Sequence, residues 1–252
     1  MDKKSLFNVR YSITDYDKAS DLIIEKGLQK QSFGVSALAV HGLIETVRCK
    51  TFQNKVARLD MVVPDGQPIK WALNHFCNAG LKDRVAGPIL TTYVLQKADK
   101  LHLRVYLYGS TSSTLQKLRN HFNEKYPGIT ICGTHTDRFR EATDKEDEED
   151  IIKINTSKPH IVLVGRGCPR QEKWVANHLR KIHAPMMAIG AAFDFMAGNI
   201  KHAPLWMQNM GLEWLYRLIQ NPKKLWKRYL ITNSYFIFLI ILCKLGVRKF
   251  QA

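Results

Sequence analysis

One stretch decides how the chain is read: Lys158-Pro159-His160-Ile161-Val162-Leu163-Val164-Gly165-Arg166-Gly167-Cys168-Pro169-Arg170-Gln171-Glu172-Lys173-Trp174. Residues 160–164 form a short apolar run, as expected of a strand buried on both faces. Gly165 and Gly167 mark a tight turn. Pro169 then opens a helix predicted over 169–182, at a helix start where proline is tolerated. Strand, glycine turn and helix together make half of a βαβ unit.

The same alternation runs outward in both directions. Strands are predicted at 33–38, 58–63, 103–108, 129–132 and 186–189. Helices are predicted at 17–31, 41–50, 68–79, 89–100, 111–126 and 146–156. Repeated strand-then-helix units imply a Rossmann-like parallel sheet with helices on both faces. Beyond about Gly190 the strand signals stop, and 204–218 and 222–242 read as helices. The expected organisation is a core over 1–197 and a helical, basic C-terminal appendage over 198–252.

Composition agrees with a globular chain. Of 252 residues, 45% are hydrophobic and 24% charged, which excludes collagen-like, wholly disordered and multi-span membrane classes. The net charge of +16 leaves nucleic acid, anionic lipid and phosphorylated substrates open as partners. Half of that excess sits in the last 54 residues, where nine basic residues face one acid, Glu213. Those bases are interleaved with Trp206, Trp214 and Trp226, as in an interfacial or polyanion-binding segment. An ordinary amphipathic helix with a solvated basic face would read the same way. The longest unbroken apolar run, 235–243, is nine residues and falls short of the roughly 20 that a spanning helix needs. Residues 1–10 lack the apolar core of a signal peptide. Five cysteines without a C-x-x-C pair suit a reduced, cytosolic setting.

In a parallel sheet, ligands bind beyond the carboxyl ends of the strands, so the turns there hold the candidate chemistry. Asp65, in Pro64-Asp65-Gly66-Gln67-Pro68, follows a strand and is placed to act as a general base; an Asp-Gly turn with a capping role would look identical. Gly165 and Gly167 open a helix that could receive a phosphate on its N-terminus, with Gln171 beside it. A dinucleotide fingerprint would need a third glycine where Arg170 stands, and no Walker loop exists. Gly109 lies in a second such turn, and Asp194 follows Gly190 in a third. Arg84 could pair with a diphosphate through a two-pronged contact. Asp15-Tyr16-Asp17 reads as helix capping, and the acidic run 144–150 as a solvated helix start. No metal-ligand spacing is found, so neither a metal nor another cofactor is expected.

Taken together, these blocks carry a resemblance. Pro64-Asp65-Gly66-Gln67-Pro68-Ile69-Lys70-Trp71, Arg84-Val85-Ala86-Gly87, Tyr106-Leu107-Tyr108-Gly109, the stretch from Lys158 to Trp174, Gly190 to Gly198, Ala203-Pro204-Leu205-Trp206-Met207-Gln208 and Gly211 to Leu218 occur in order. In these blocks the chain resembles the WecG/TagA/CpsF glycosyltransferase family from about Phe33 to Tyr229. The resemblance implies an inverting, metal-independent transfer in cell-surface polysaccharide synthesis. It moves an N-acetylmannosamine-type sugar from a UDP-sugar donor to a polyprenyl-diphosphate-linked sugar. It implies Asp65 as the base, and Arg84, Gln171 and Asp194 near nucleotide and phosphates. Arg217, with Lys224, Lys227 and Arg228, would meet the acceptor diphosphate and an anionic membrane surface. The expected location is peripheral, on the inner face of a bacterial cytoplasmic membrane, with no nucleic-acid partner; homo-oligomer formation through the appendage is left open. Many relatives carry Thr-x-Asn where this chain has Ala37 and Ala39, which bears on the donor sugar. Ser36 and His41 are the polar neighbours available as replacements. A catalytically altered, membrane-peripheral scaffold of the same fold is the alternative that this departure keeps open, and a basic nucleic-acid-binding protein is the further one that the charge suggests.

Overall fold

The computed structural model describes residues 1–246; Arg248 and Lys249 lie outside the described residues, as does the side chain of Lys224. An antiparallel hairpin, β1 (Lys3–Leu6) and β2 (Val9–Ser12), precedes the expected alternation. Then follow α1 (Tyr16–Leu28), β3 (Phe33–Leu38), α2 (Val40–Arg48), α3 (Lys50–Ala57), β4 (Met61–Pro64), α4 (Gln67–Cys77) and α5 (Gly87–Lys100). The core continues through β5 (Arg104–Gly109), α6 (Ser112–Lys125), β6 (Thr130–His135), α7 (Asp144–Thr156), β7 (Ile161–Gly165), α8 (Arg170–His178), β8 (Pro185–Ala188) and α9 (Ala191–Met196). The appendage holds α10 (Leu205–Asn209), α11 (Glu213–Gln220) and α12 (Pro222–Lys244).

Strands β3 to β8 form one six-stranded parallel sheet in the order β4-β3-β8-β7-β5-β6. Its two faces follow the period-two rule of a strand. Tyr106, Tyr108, Val162 and Val164 point into one apolar cluster, with side chains of α2, α3, α4, α8 and α12. Val105, Leu107, Ile161 and Leu163 point into the other, with α1, α5, α6 and α9. Both clusters are closed to solvent, which explains why the central strands read as continuous apolar runs.

The structure departs from the sequence reading in identifiable places. The helix predicted over 41–50 stops at Cys49, which is extended at φ −134°, and α3 starts a new axis. The strand predicted from residue 58 begins at Met61, because Arg58 and Leu59 still close the last turn of α3, donating their backbone N–H groups to Lys55 and Val56. The helix predicted over 204–218 is split at Gly211, whose φ of +73° no helix accepts; a Cβ there would meet the Trp71 ring at 2.9 Å. Asp15 does cap α1, accepting from the Lys18 backbone N–H. In the acidic run, Thr143 and Glu146 form a capping box, whereas Asp150 is buried and paired two-pronged with Arg138.

Helix α12 matches the helix predicted over 222–242, but its apolar span differs from expectation. Counted as an unbroken apolar run it is short, but Leu225–Lys244 is 20 residues long and apolar enough to cross a membrane by length and composition. One face of it is seated on the core: Leu225, Thr232, Phe236 and Leu239 are buried at helical spacing, and the last two join the apolar cluster under α2. Leu239→Ala is therefore expected to cost about 2–4 kcal/mol, read as a lower denaturant midpoint at unchanged slope. An unchanged midpoint would mean that α12 does not share the fold of the core.

Candidate active site

One cavity of about 690 Å³ opens over the carboxyl ends of β4, β3, β8 and β7, within the usual size for a small-molecule site. Each of these strands feeds a turn whose residues form its walls: Asp65 after β4, Ala37 and Ala39 at the end of β3, Ile189 and Gly190 after β8, Gly167 after β7. The appendage closes the opposite side with Glu213, Arg217 and Arg228.

The helices that follow these turns present bare N-termini. Those of α2, α4, α5 and α8 begin at Ala39, Gly66, Ala86 and Pro169, and none has a side-chain cap. By contrast α1, α6 and α7 are capped by Asp15, Thr111 and Thr143, and no residue of those three helices lines the cavity. First turns without an N-cap side chain leave backbone N–H groups open to other partners, as Gly87 of α5 is to Asp65, and carry a partial positive charge. Four of them at one cavity favour negative charge there.

Asp65 sits among these groups. Gly87, in the first turn of α5, donates its backbone N–H toward the carboxylate, which favours the ionised form. Burial and the nearby Glu213 carboxylate act the other way and prevail over Arg84 and Arg217, so the Asp65 pKa is pushed up to about 6. A carboxyl group with that value is poised to take up a proton near neutral pH.

Arg84 is only 7% exposed and crosses from core to appendage. It meets the Glu213 carboxylate at 2.7 Å and donates to Gln208 Oε1 at 2.9 Å. Its own desolvation is more than offset by Glu213 and Asp65, which hold it charged. The fork expected to face a diphosphate is thus engaged by the appendage. Arg217 keeps a donor free: its buried Nε has no hydrogen-bond partner, and its guanidinium lies 5.9 Å from the Phe195 ring centre. Arg228 lines the cavity too, and after burial it is the next cause holding His41 down to about 4.

Gln171 bridges two walls. Its Oε1 accepts from the Gly167 N–H at 3.1 Å, and its Nε2 donates to Glu172 at 2.9 Å. Glu172 is fully buried, accepts from Ser36 as well, and is shifted upward by burial.

Several anticipated positions are elsewhere. Gly109 and Gly165 are not among the cavity walls. A Cβ on Gly109 would meet the Gly165 carbonyl at 2.7 Å, and one on Gly165 the Phe193 ring at 2.3 Å, so both glycines permit close packing. Asp194 is also outside the walls and accepts from Asn199 at 3.3 Å. Lys227 is exposed, with its ammonium 5.4 Å from the centre of the Trp226 ring. Successive helical residues point about 100° apart, so a helix that turns Arg228 into the cavity turns Lys227 out. The described residues hold no cluster of three or more metal-ligating His, Cys, Asp or Glu side chains.

Sequence reasoning missed Gln208 and Glu213. Glu213 had a visible signal, as the lone acid in a strongly basic segment. Gln208 and the wall residues Phe76 and Phe236 had none, since only the return of the appendage over the sheet edge brings them to the site.

Comparisons with known proteins agree with this geometry. The model of the Glycosyl transferase WecG/TagA/CpsF family matches residues 4–250. A Bacillus subtilis (strain 168) protein named N-acetylglucosaminyldiphosphoundecaprenol N-acetyl-beta-D-mannosaminyltransferase is 28% identical over 93% of this chain and 90% of its own length. Proteins of the same name from Bacillus spizizenii (strain ATCC 23059 / NRRL B-14472 / W23) and Staphylococcus aureus (strain MW2) are 30% and 29% identical, over 76% and 73% of this chain and 72% and 68% of their own lengths. With its anion-receptive cavity and a family match over nearly its whole length, the chain belongs to the WecG/TagA/CpsF family of glycosyltransferases.

Proposed function

We propose that the cavity transfers an N-acetylmannosamine-type sugar, with inversion, from a UDP-sugar to N-acetylglucosamine carried on polyprenyl diphosphate at the inner face of the cytoplasmic membrane. The observation that carries this reading is the pairing, in one cavity, of a carboxyl group with pKa about 6 and four uncapped helix N-termini. Asp65 takes the proton of the acceptor hydroxyl as that oxygen attacks the anomeric carbon. The new C–O bond forms while the bond from that carbon to the diphosphate breaks, through an oxocarbenium-like transition state. The charge growing on the departing UDP is met by helix N-termini, with Gln171 beside that of α8, rather than by a metal, while Arg217 and Arg228 meet the acceptor diphosphate. Glu213 raises the basicity of Asp65, and Arg84 holds Glu213 in place. The exposed apolar face of α12, including Leu230 and Phe238, suits a headgroup-level position, where each basic neighbour of anionic lipid adds about 1 kcal/mol. Ala37 and Ala39 leave the wall at the end of β3 without polar side chains. The assay therefore uses several UDP-sugars.

Asp65→Asn is expected to lower transfer at least about 10³-fold while donor binding by calorimetry survives; full activity would reject the base assignment. The same variant carries a stability signature. Because folding raises the Asp65 pKa from 3.8 to about 6, the wild type loses stability as pH climbs through that window. Asp65→Asn should gain about 1–3 kcal/mol above pH 6 and nothing below pH 4, seen as a Tm gain at pH 8 only. For transfer itself, kcat/KM should rise through pH about 6. Glu213→Gln should move that limb to lower pH, and a limb that stays in place would remove Glu213 from the tuning of the base.

A further inference from the structure

The cavity extends past the groups that the transfer step uses. Apart from those groups, a stretch of its wall drawn from α4 and α12 is apolar: Trp71, Ala72 and Phe76 from the first, Phe236, Ile237 and Ile240 from the second. The polar side chains along this stretch, His75, Asn233 and Lys244, are few, and Lys244 stands at the last turn of α12. Ile237 and Ile241 belong to the wall and yet are 58% and 49% exposed, so the channel opens directly onto the bare apolar face of the helix. A UDP-sugar has nothing to place in such a channel. A hydrocarbon does, provided that its anionic end reaches Arg228 and Arg217.

We propose that the channel between α4 and α12 holds the isoprene units nearest the diphosphate of the acceptor lipid. This assignment rests on the lipid-linked acceptor proposed above. The branched, flexible chain lies against branched aliphatic and aromatic walls, which bury it without stranding polar groups. Its diphosphate meets the two arginines where the channel joins the polar chamber, and its sugar faces Asp65. Because the mouth is continuous with the exposed face of α12, the chain passes from bilayer to site without crossing water. The protein then selects acceptors by their lipid as well as by their sugar.

The test compares an acceptor bearing several isoprene units with one bearing only a short alkyl group on the same diphosphate-sugar, using the full chain in detergent micelles. Ile237→Asp places a charge on an exposed part of the wall, and Ala72→Phe fills the channel from α4. In each, the advantage of the long-chain acceptor in kcat/KM is expected to fall at least about tenfold, equivalent to losing the burial of one or two methylene groups. Ile152→Asp, which adds the same charge at an exposed apolar residue of α7 outside the walls, should keep that advantage. An unchanged ratio in both channel variants overturns the proposal. A photoreactive prenyl diphosphate separates the two readings if no acceptor turns over. Crosslinks to 71–76 and 236–241 would retain the channel and reject the transfer reaction, whereas crosslinks that avoid both segments would reject the channel.

Discussion

The site depends on one ion pair, that of buried Arg84 with half-buried Glu213 across the boundary between core and appendage. Taking two charges out of water is costly, and only close geometry with further hydrogen bonds offsets it. Here the separation is 2.7 Å and Gln208 accepts from the second prong of the guanidinium. Breaking the pair would leave an unpaired charge in a largely closed space, so the appendage is held over the sheet edge and not merely tethered to it. Trp71 packed on the Gly211 backbone, and Phe236 and Leu239 packed beneath α2, add apolar contacts to the same closure.

That closure sets the electrostatics. With the appendage in place, Asp65 loses water and gains a carboxylate neighbour, and both changes favour its protonated form. The counterweight is built from backbone: the first turns of four helices are left without side-chain caps at the cavity, whereas α1, α6 and α7, which lie away from it, are capped. Caps typically contribute about 1 kcal/mol each. Their absence at one place leaves N–H groups free for a ligand to satisfy, as expected where local stability yields to binding.

The legibility of these features followed their range in the chain. The central strands were readable because burial on both faces writes an unbroken apolar run. Asp65 was readable because a strand end, an Asp-Gly turn and a proline helix start are adjacent in sequence. The break at Gly211 was not, because its cause is the ring of Trp71, 140 positions earlier. The helix itself is legible over 222–242, but its apolar span is not, because Arg228, Thr232 and Asn233 interrupt the run that a search for contiguous residues follows, and polar and buried residues share one face.

Short-range chemistry thus determined the alternating elements, the parallel sheet and the list of turns bearing carboxylate, glycine and arginine, since propensity and hydrophobic period act within a few residues. Tertiary structure alone decided which of those turns share a cavity. Gly109 and Gly165 carry the same local signature as Gly167, but they lie where strands pack against each other and against Phe193. Lys227 and Arg228 are neighbours in the chain, yet only Arg228 faces the cavity, because a helix turns its side chains in a fixed rotation and the packing of α12 on α2 sets which of them points inward.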